Sequence, residues 1–404
     1  MKISKRLVNA NMMLIFLVII LFQFFIGRLI PLASYSDEIL VLILLCIFLH
    51  ERKLKILSSD IYFIFLCLLV FALGVLSNIL SGVTDNFIFV FLDYISIIKT
   101  YIIFFLIIRS ISSREAKWVL SKLYPISCFY IIVAFLCVIF GYVANISFFF
   151  KDETSIRYGL RAYSFIAENA SSFGCLIIGL YTVIQAKERK SILNLCAKTA
   201  ALILLLLTTK GPQIFYVAIL IVFHLLHTKK IRIWHIGIVL LLGVVLGRYQ
   251  IINYLLNENS ARFLLAKTAF LIANRYFPLG SGFATFGSDL SRTAYSSLYR
   301  EYGLSKVYGL SRDYGAYITD NYWPMVLAQL GYIGILAIVL MIHYIYTKVI
   351  STKYDNIEIK QSILALLITF LVGSLGSAYF NTSAGVFCFS IVGLILNSNR
   401  KQNC

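Results

Sequence analysis

The sequence predicts an all-α polytopic membrane protein with about twelve transmembrane helices. Three observations predict it. Of 404 residues, 60% are hydrophobic and only 13% are charged, against about 25% charged in an ordinary soluble domain. The apolar residues fall into runs approaching the roughly 20 residues that cross a bilayer. The basic residues behind the net charge of +18 sit in short clusters between those runs. Gathered on one soluble face, such charge would indicate nucleic acid. Placed between apolar runs, it punctuates membrane spans, so no nucleic-acid partner is expected.

Taken in order, the spans are expected at roughly 11–31, 38–50, 59–80, 87–108, 119–144, 166–186, 192–208, 213–227, 232–247, 323–347, 361–380 and 385–397. The first could be mistaken for a cleaved signal peptide, but its apolar run is long and more spans follow. Every even-numbered link is basic: Arg52, Lys53 and Lys55; Arg109, Arg114 and Lys117; Lys187, Arg189 and Lys190; Lys229, Lys230 and Arg232; Lys348, Lys353 and Lys360. Lys2, Lys5 and Arg6 open the chain, and Arg400 and Lys401 close it. The positive-inside rule then puts both termini in the cytoplasm. All cysteines but Cys404 lie in expected spans, and no C-x-x-C occurs, so neither a disulfide framework nor a metal site is expected. His224 and His227 share a helix face, which is thin support for zinc.

The chain reads as one membrane-embedded domain, 1–404, with two large outer loops, 145–165 and 248–322. Connections that long are usually functional. In the first, Arg157 and Arg161 could hold an anion, with Glu168 and Asn169 following at the next span start; solvating a loop is the plainer alternative. The short outer link TTKGPQ, 208–213, carries one charge, Lys210. A phosphate partner would retain it there, and so would snorkelling to the interface.

The second loop opens with an amphipathic helix, 257–276, capped by Asn259 or Ser260 and able to lie in the interface. Phe263, Leu264, Phe270 and Leu271 form its apolar side. Gly280 and Gly282 would let the backbone approach a ligand closely. A tyrosine-rich tract runs from Tyr295 to Tyr322, includes Tyr314 and Tyr317, and holds a tandem YGLSK-V, YGLSR-D repeat. Tyrosine faces suit sugar rings; an interfacial aromatic belt would use the same residues. Within the membrane, Asp93 and Lys99 stand on one span about 240° apart, so they do not pair. Asp93 could line the outer cavity, and Lys99 could bind a lipid head group or answer an acid elsewhere.

Four blocks then stand in a characteristic order: RAYSFIAENAS at 161–171, TTKGP at 208–212, SAR at 260–262 with PLGSGFATF at 278–286, and TDNYWPMVLAQLGYIG at 319–334. The ordered set resembles the Wzy-type O-antigen polymerases and the wider O-antigen ligase-like superfamily. Two departures inform. The second block often reads Ser-Arg-Gly in that family, and here it has Lys210, which lacks the arginine fork. Related ligases carry a histidine beside the asparagine of the last block, and here Asp320 precedes Asn321, which favours polymerase over ligase.

The resemblance implies a GT-C-like glycosyltransferase at the periplasmic face of a bacterial inner membrane. It would use no metal, cofactor or nucleotide sugar. The donor would be a glycan on undecaprenyl pyrophosphate and the acceptor a repeat unit on the same carrier. A chain-length regulator and a flippase would be partners. On this reading Arg161, Lys210 and Arg262, with Arg157, bind pyrophosphate. Asp320 is the first choice of base and Glu168 the second, and Asn321, Tyr322, Tyr314 and Tyr317 contact the glycan. A ligase to lipid A core and a lipid-linked-oligosaccharide flippase are the rival readings.

Overall fold

A computed structural model describes residues 2–50, 57–144, 149–150, 156–157, 159–187, 191–225 and 257–400, with isolated positions between 237 and 252. Its described residues are mainly helical, with one two-stranded ribbon. Helices long and apolar enough to cross a membrane run through Pro31–His50, Ser58–Ser81, Phe87–Ser110, Ser113–Val143 and Tyr322–Ser351. Shorter apolar helices include Ala170–Ala186, Ile192–Leu207, Gly211–Leu225 and Ser383–Ser398. The span expected at 232–247 lies almost wholly outside the described residues.

We number the helices α1 Lys2–Leu21, α2 Gln23–Gly27, α3 Ser36–His50, α4 Ser58–Ser81, α5 Phe87–Ser110, α6 Ser113–Val143, α7 Ala170–Ala186, α8 Ile192–Leu207, α9 Gly211–Leu225, α10 Ala261–Arg275, α11 Asp289–Ala294, α12 Ser297–Glu301, α13 Tyr322–Ser351, α14 Ile357–Gly373 and α15 Ser383–Ser398. The helix α5 is buried along most of its length from Ile97 to Ser110 and packs against α3 and α15.

The first expected span needs correcting, and the second begins two residues earlier than expected. The first helix ends at Leu21 rather than near residue 31, and a 3-10 turn begins at Pro31. The Gln23 amide ties this bend, donating to Ser34 O at 2.6 Å and to Asp37 Oδ1 at 3.2 Å. The next helix reaches back to Ser36 because Asp37 and Glu38 are not left as bare charges. Both carboxylates sit in the first turn, where the helix dipole favours them. Each also meets Lys99 Nζ at 2.6 Å. Lys99 therefore answers acids elsewhere, the second of the two expectations for it.

The long loop is a folded cap rather than an open connection. Leu265, Ala269, Ile272, Phe286, Tyr299, Leu304, Leu310 and Ile318 form a second core, which closes on Leu327 and Ala328 of α13. In α10 the cap is Ser260, whose side chain accepts from Phe263 N at 3.1 Å. Its buried side is Leu265, Ala269, Ile272 and Ala273, whereas Phe270 and Leu271 of the expected apolar side are exposed. The YGL repeat becomes two alike turns. Gly303 and Gly309 both take positive φ, +70° and +83°, and Leu304 and Leu310 both point into the cap core.

The segment 281–288 is buried throughout and threads between α4, α5 and α13. Its reception rests on a break in α13 at Gly331, where φ is +62°. The break leaves the carbonyls of Ala328 and Gln329 without helical donors. They accept instead from Ser281 N and Gly282 N, each at 2.8 Å, and Tyr332 N donates to Pro278 O at 3.2 Å. A helix interrupted at membrane depth is tolerated only when its freed groups are satisfied in this way. Gly280 and Gly282 thus serve close approach to protein, not to a ligand. A Cβ at Gly280 would overlap the carbonyl carbon of Gln329, and one at Gly282 would overlap Asn78.

Candidate functional site

The four sequence blocks converge on one end of the bundle. Each opens a helix. Asn169 caps α7, its side chain accepting from Ser172 N at 2.8 Å. Lys210 O accepts from Ile214 N at 3.2 Å in the first turn of α9. Ser260 caps α10, and Asn321 stands at the cap of α13. Contacts between these starts hold them together. Gln213 Nε2 donates to Ser171 O at 3.1 Å and to the Tyr379 hydroxyl at 3.2 Å. Phe380, the next residue, packs on Tyr322 with ring centroids 5.1 Å apart. Asn321 Nδ2 then donates to Arg262 O at 3.0 Å. Tyr163 N donates to Leu207 O at 3.0 Å, which brings the Arg161 segment beside the end of α8 and so toward Lys210.

At the far end of this chain of contacts, Arg262 and Asp320 form an ion pair. Asp320 Oδ2 accepts from Arg262 Nη2 at 2.8 Å and from Nε at 3.2 Å. Both side chains keep about a quarter of their surface, 24% and 27%, open to solvent. The predicted cation and the predicted base are therefore neighbours. Asp320 N also donates to Tyr317 O at 3.2 Å, which ties the tyrosine tract to the same spot. There Tyr308, Tyr314 and Tyr317 are exposed and their centroids lie 4.9 to 6.5 Å apart.

Two expectations need correcting. Tyr322 does not face outward. It is fully buried, and its hydroxyl pairs with the Tyr101 hydroxyl at 2.8 Å, because the first turn of α13 turns that ring into the bundle. Arg157 and Arg161 do not project side by side. The ribbon pairs Arg157 with Leu160 and Arg161 with Ile156. Directly opposed residues share a face, so the two arginines emerge on opposite faces. The remainder of the 145–165 loop lies mostly outside the described residues. Glu168 is exposed just before α7. Asp93, far from lining a cavity, is buried, and its Oδ2 accepts from Ala284 N at 2.6 Å.

Several features of this end are not apparent from the sequence. Thr209, a β-branched residue, holds φ at +54° immediately before Lys210. Such strain persists only where the surroundings enforce it and clusters at functional sites. Three buried side-chain oxygens at this end, Thr209 Oγ1, Asn321 Oδ1 and Asn381 Oδ1, have no hydrogen-bond partner among the described residues. Other buried oxygens in the bundle, those of Tyr130, Tyr216 and Ser390 among them, are in the same state, so this feature alone does not single out the site. Gln213 was also missed, although a polar amide opening an apolar run is a readable signal. Within the cap, burial pushes the Tyr299 phenol above its ordinary range, and its hydroxyl oxygen accepts from Gly287 N at 2.7 Å.

Compared with known proteins, the chain matches no family model, and no curated protein is significantly similar to it. Among the described residues no three His, Cys, Asp or Glu side chains gather as metal ligands would. What the site offers is cationic side chains, carboxylates, four helix starts whose dipoles favour an anion, and an exposed aromatic cluster.

Proposed function

We propose that this protein is a polytopic transferase of bacterial inner membranes, with twelve spans, a GT-C-like architecture and both termini in the cytoplasm. It polymerises oligosaccharide repeat units carried on undecaprenyl pyrophosphate, building O-antigen or a related surface polysaccharide. The observation that carries this reading is the Arg262–Asp320 pair at the meeting of helix starts. A glycosyl transfer from a lipid pyrophosphate needs two things at one point. One is fixed positive charge for the departing pyrophosphate, and the other is a base for the incoming hydroxyl.

In the proposed step, an acceptor hydroxyl oxygen attacks the anomeric carbon of the donor. The bond from that carbon to the pyrophosphate oxygen breaks, and the electron pair leaves with the pyrophosphate. Arg262, Lys210 and Arg161 face this growing charge, Arg262 as a fork that can bind two oxygens. When phosphate takes the Arg262 guanidinium, the ion pair opens and Asp320 is released to accept the hydroxyl proton. Glu168 is the second carboxylate within the same blocks. Tyr314 and Tyr317, with Tyr308, stack on the glycan, and the unpartnered oxygens of Asn321 and Asn381 accept its hydroxyls. A flippase would supply the lipid-linked units, and a chain-length regulator would set how long the product grows.

The experiment is a lipopolysaccharide gel from a clean deletion in the native host. A core band bearing a single repeat unit, with the ladder gone, is the expected result. Core bearing no repeat at all would overturn the polymerase reading. Polymer accumulating on the lipid carrier would then indicate a ligase, and single units trapped inside would indicate a flippase.

A further inference from the structure

The opposite end of the bundle carries a second polar site that the proposed transfer does not use. A cleft of about 420 Å3 is lined by Arg114 and Lys117 of α6, Asp355 of the α13–α14 connection, and Ser398, Asn399 and Arg400 at the end of α15. Three cations against one carboxylate leave it a net charge of +2. All four charged side chains are exposed to solvent.

The surrounding charges are treated differently. Arg109 pairs with Asp60 at 3.2 Å, Lys348 Nζ donates to Ser59 Oγ at 3.0 Å, and Glu358 accepts from Gln185 at 3.0 Å. Among the described residues, Arg114, Lys117 and Arg400 have no ion-pair partner within 4.0 Å. The start of α6 is already closed by its own capping box, Ser112 with Glu115. The excess charge therefore resides in side chains brought together from separate parts of the chain. Trp118, half-buried beside Lys117, is the kind of residue that sits at head-group level.

We infer that this cleft binds a phosphate-bearing anion, supplied either by the head group of an anionic lipid or by soluble phosphate. Two arginines and a lysine provide forked and point donors of the type that phosphate oxygens take. The cleft falls within the ordinary volume of a small-molecule site, about 300–1,000 Å3. Basic pockets between helices on the cytoplasmic side are suited to lipid phosphates. Because the cations are exposed, binding weakens as salt shortens the screening length.

The test uses the full-length protein in nanodiscs of phosphatidylcholine with a minor share of phosphatidylglycerol. Bound phosphatidylglycerol is counted by native mass spectrometry, and inorganic phosphate binding is measured separately. The triple variant R114Q/K117Q/R400Q is compared with K122Q/K187Q/K360Q, which removes equal charge from the same end. The expected result is a loss of about tenfold or more in one bound anion for the first triple only, as for removal of several charge-assisted contacts. Loss of phosphatidylglycerol names the lipid as source, and loss of inorganic phosphate with lipid unchanged names the soluble anion. Equal loss in both triples, or no loss in either, would overturn the proposal. These outcomes are independent of whether the chain polymerises glycan.

Discussion

The side-chain amide of Asn78 grips the backbone of Phe283 from both sides. Asn78 Nδ2 donates to Phe283 O at 2.9 Å, and Phe283 N donates to Asn78 Oδ1 at 2.8 Å. The pair reproduces a β-bridge using one side chain, and it fixes the cap segment 205 residues away along the chain. Asn78→Ala strands two buried backbone groups, each worth about 1–3 kcal/mol. The expected outcome is a lowered melting temperature in detergent and protease cleavage within 277–288. A melting curve unchanged from the parent would show that the clamp contributes nothing.

The break at Gly331 and the glycine opposite it make a second prediction. A Cβ at Gly280 meets backbone atoms of Ala328 and Gln329, which cannot move aside as a side chain could. Gly280→Ala should therefore displace the segment and lose the bonds from Ser281 N and Gly282 N. Overpacking of this kind costs about 1–3 kcal/mol. Gly237→Ala, at a glycine where a Cβ has open space, is the matched control. If both variants melt alike, the close approach is not a constraint.

Much of this architecture was legible in the sequence, for identifiable reasons. Helix type follows from uninterrupted apolar runs, and a cap at Asn259 or Ser260 follows from their position before an amphipathic stretch, with the structure choosing Ser260. Long-range pairing was not legible. The span expected at 38–50 leaves Asp37 outside, because the partner of Asp37 and Glu38, Lys99, lies some 60 residues away. Gly280 and Gly282 read as ligand-facing because sequence shows that a backbone needs room without showing what fills it. The Arg262–Asp320 contact needed the cap to fold first, whereas both residues were recognisable singly from their blocks. Tyr322 was misread because a residue beside a functional block can still turn inward.

Lys99 carries the third prediction. It serves two carboxylates inside the helix bundle, with only 6% of its own side chain accessible. Lys99→Met leaves those carboxylates without a counter-charge, and breaking a buried pair costs about 3–5 kcal/mol. The expected phenotype is low yield or a markedly lowered melting temperature. Adding Asp37→Asn and Glu38→Gln removes the stranded charge and should restore much of the loss. Failure of the triple variant to recover would mean that Lys99 acts through something other than this pairing.

The exposed tyrosines make the fourth. Tyr308 and Tyr314 lie 4.9 Å apart between centroids, and their rings remain accessible. Aromatic stacking is worth about 0.5–1.5 kcal/mol per pair. Tyr308→Ala with Tyr314→Ala should weaken glycan binding several-fold and shorten the polymer, without changing protein level. Tyr317 is avoided because it packs on Gly309, where its loss would disturb the turn. Unchanged chain lengths in the double variant would remove the cluster from glycan binding.

The last prediction separates two duties that one carboxylate could perform. Asp320 holds Arg262 through two nitrogens, so it either aims the guanidinium or, once released, takes a proton. Aiming alone predicts that Asp320→Asn, which keeps an acceptor oxygen, loses little beyond substrate affinity. Proton transfer predicts a fall in kcat of about 100- to 10,000-fold, since an amide cannot act as a base. We expect the second outcome, with KM changed little, and expect Asp320→Glu to recover part of the rate. Arg262→Lys should behave oppositely. A lysine keeps the charge but not the fork, so KM for the lipid pyrophosphate should rise more than kcat falls. If Asp320→Asn keeps kcat and raises only KM, Asp320 is a positioning residue and Glu168 becomes the carboxylate to test.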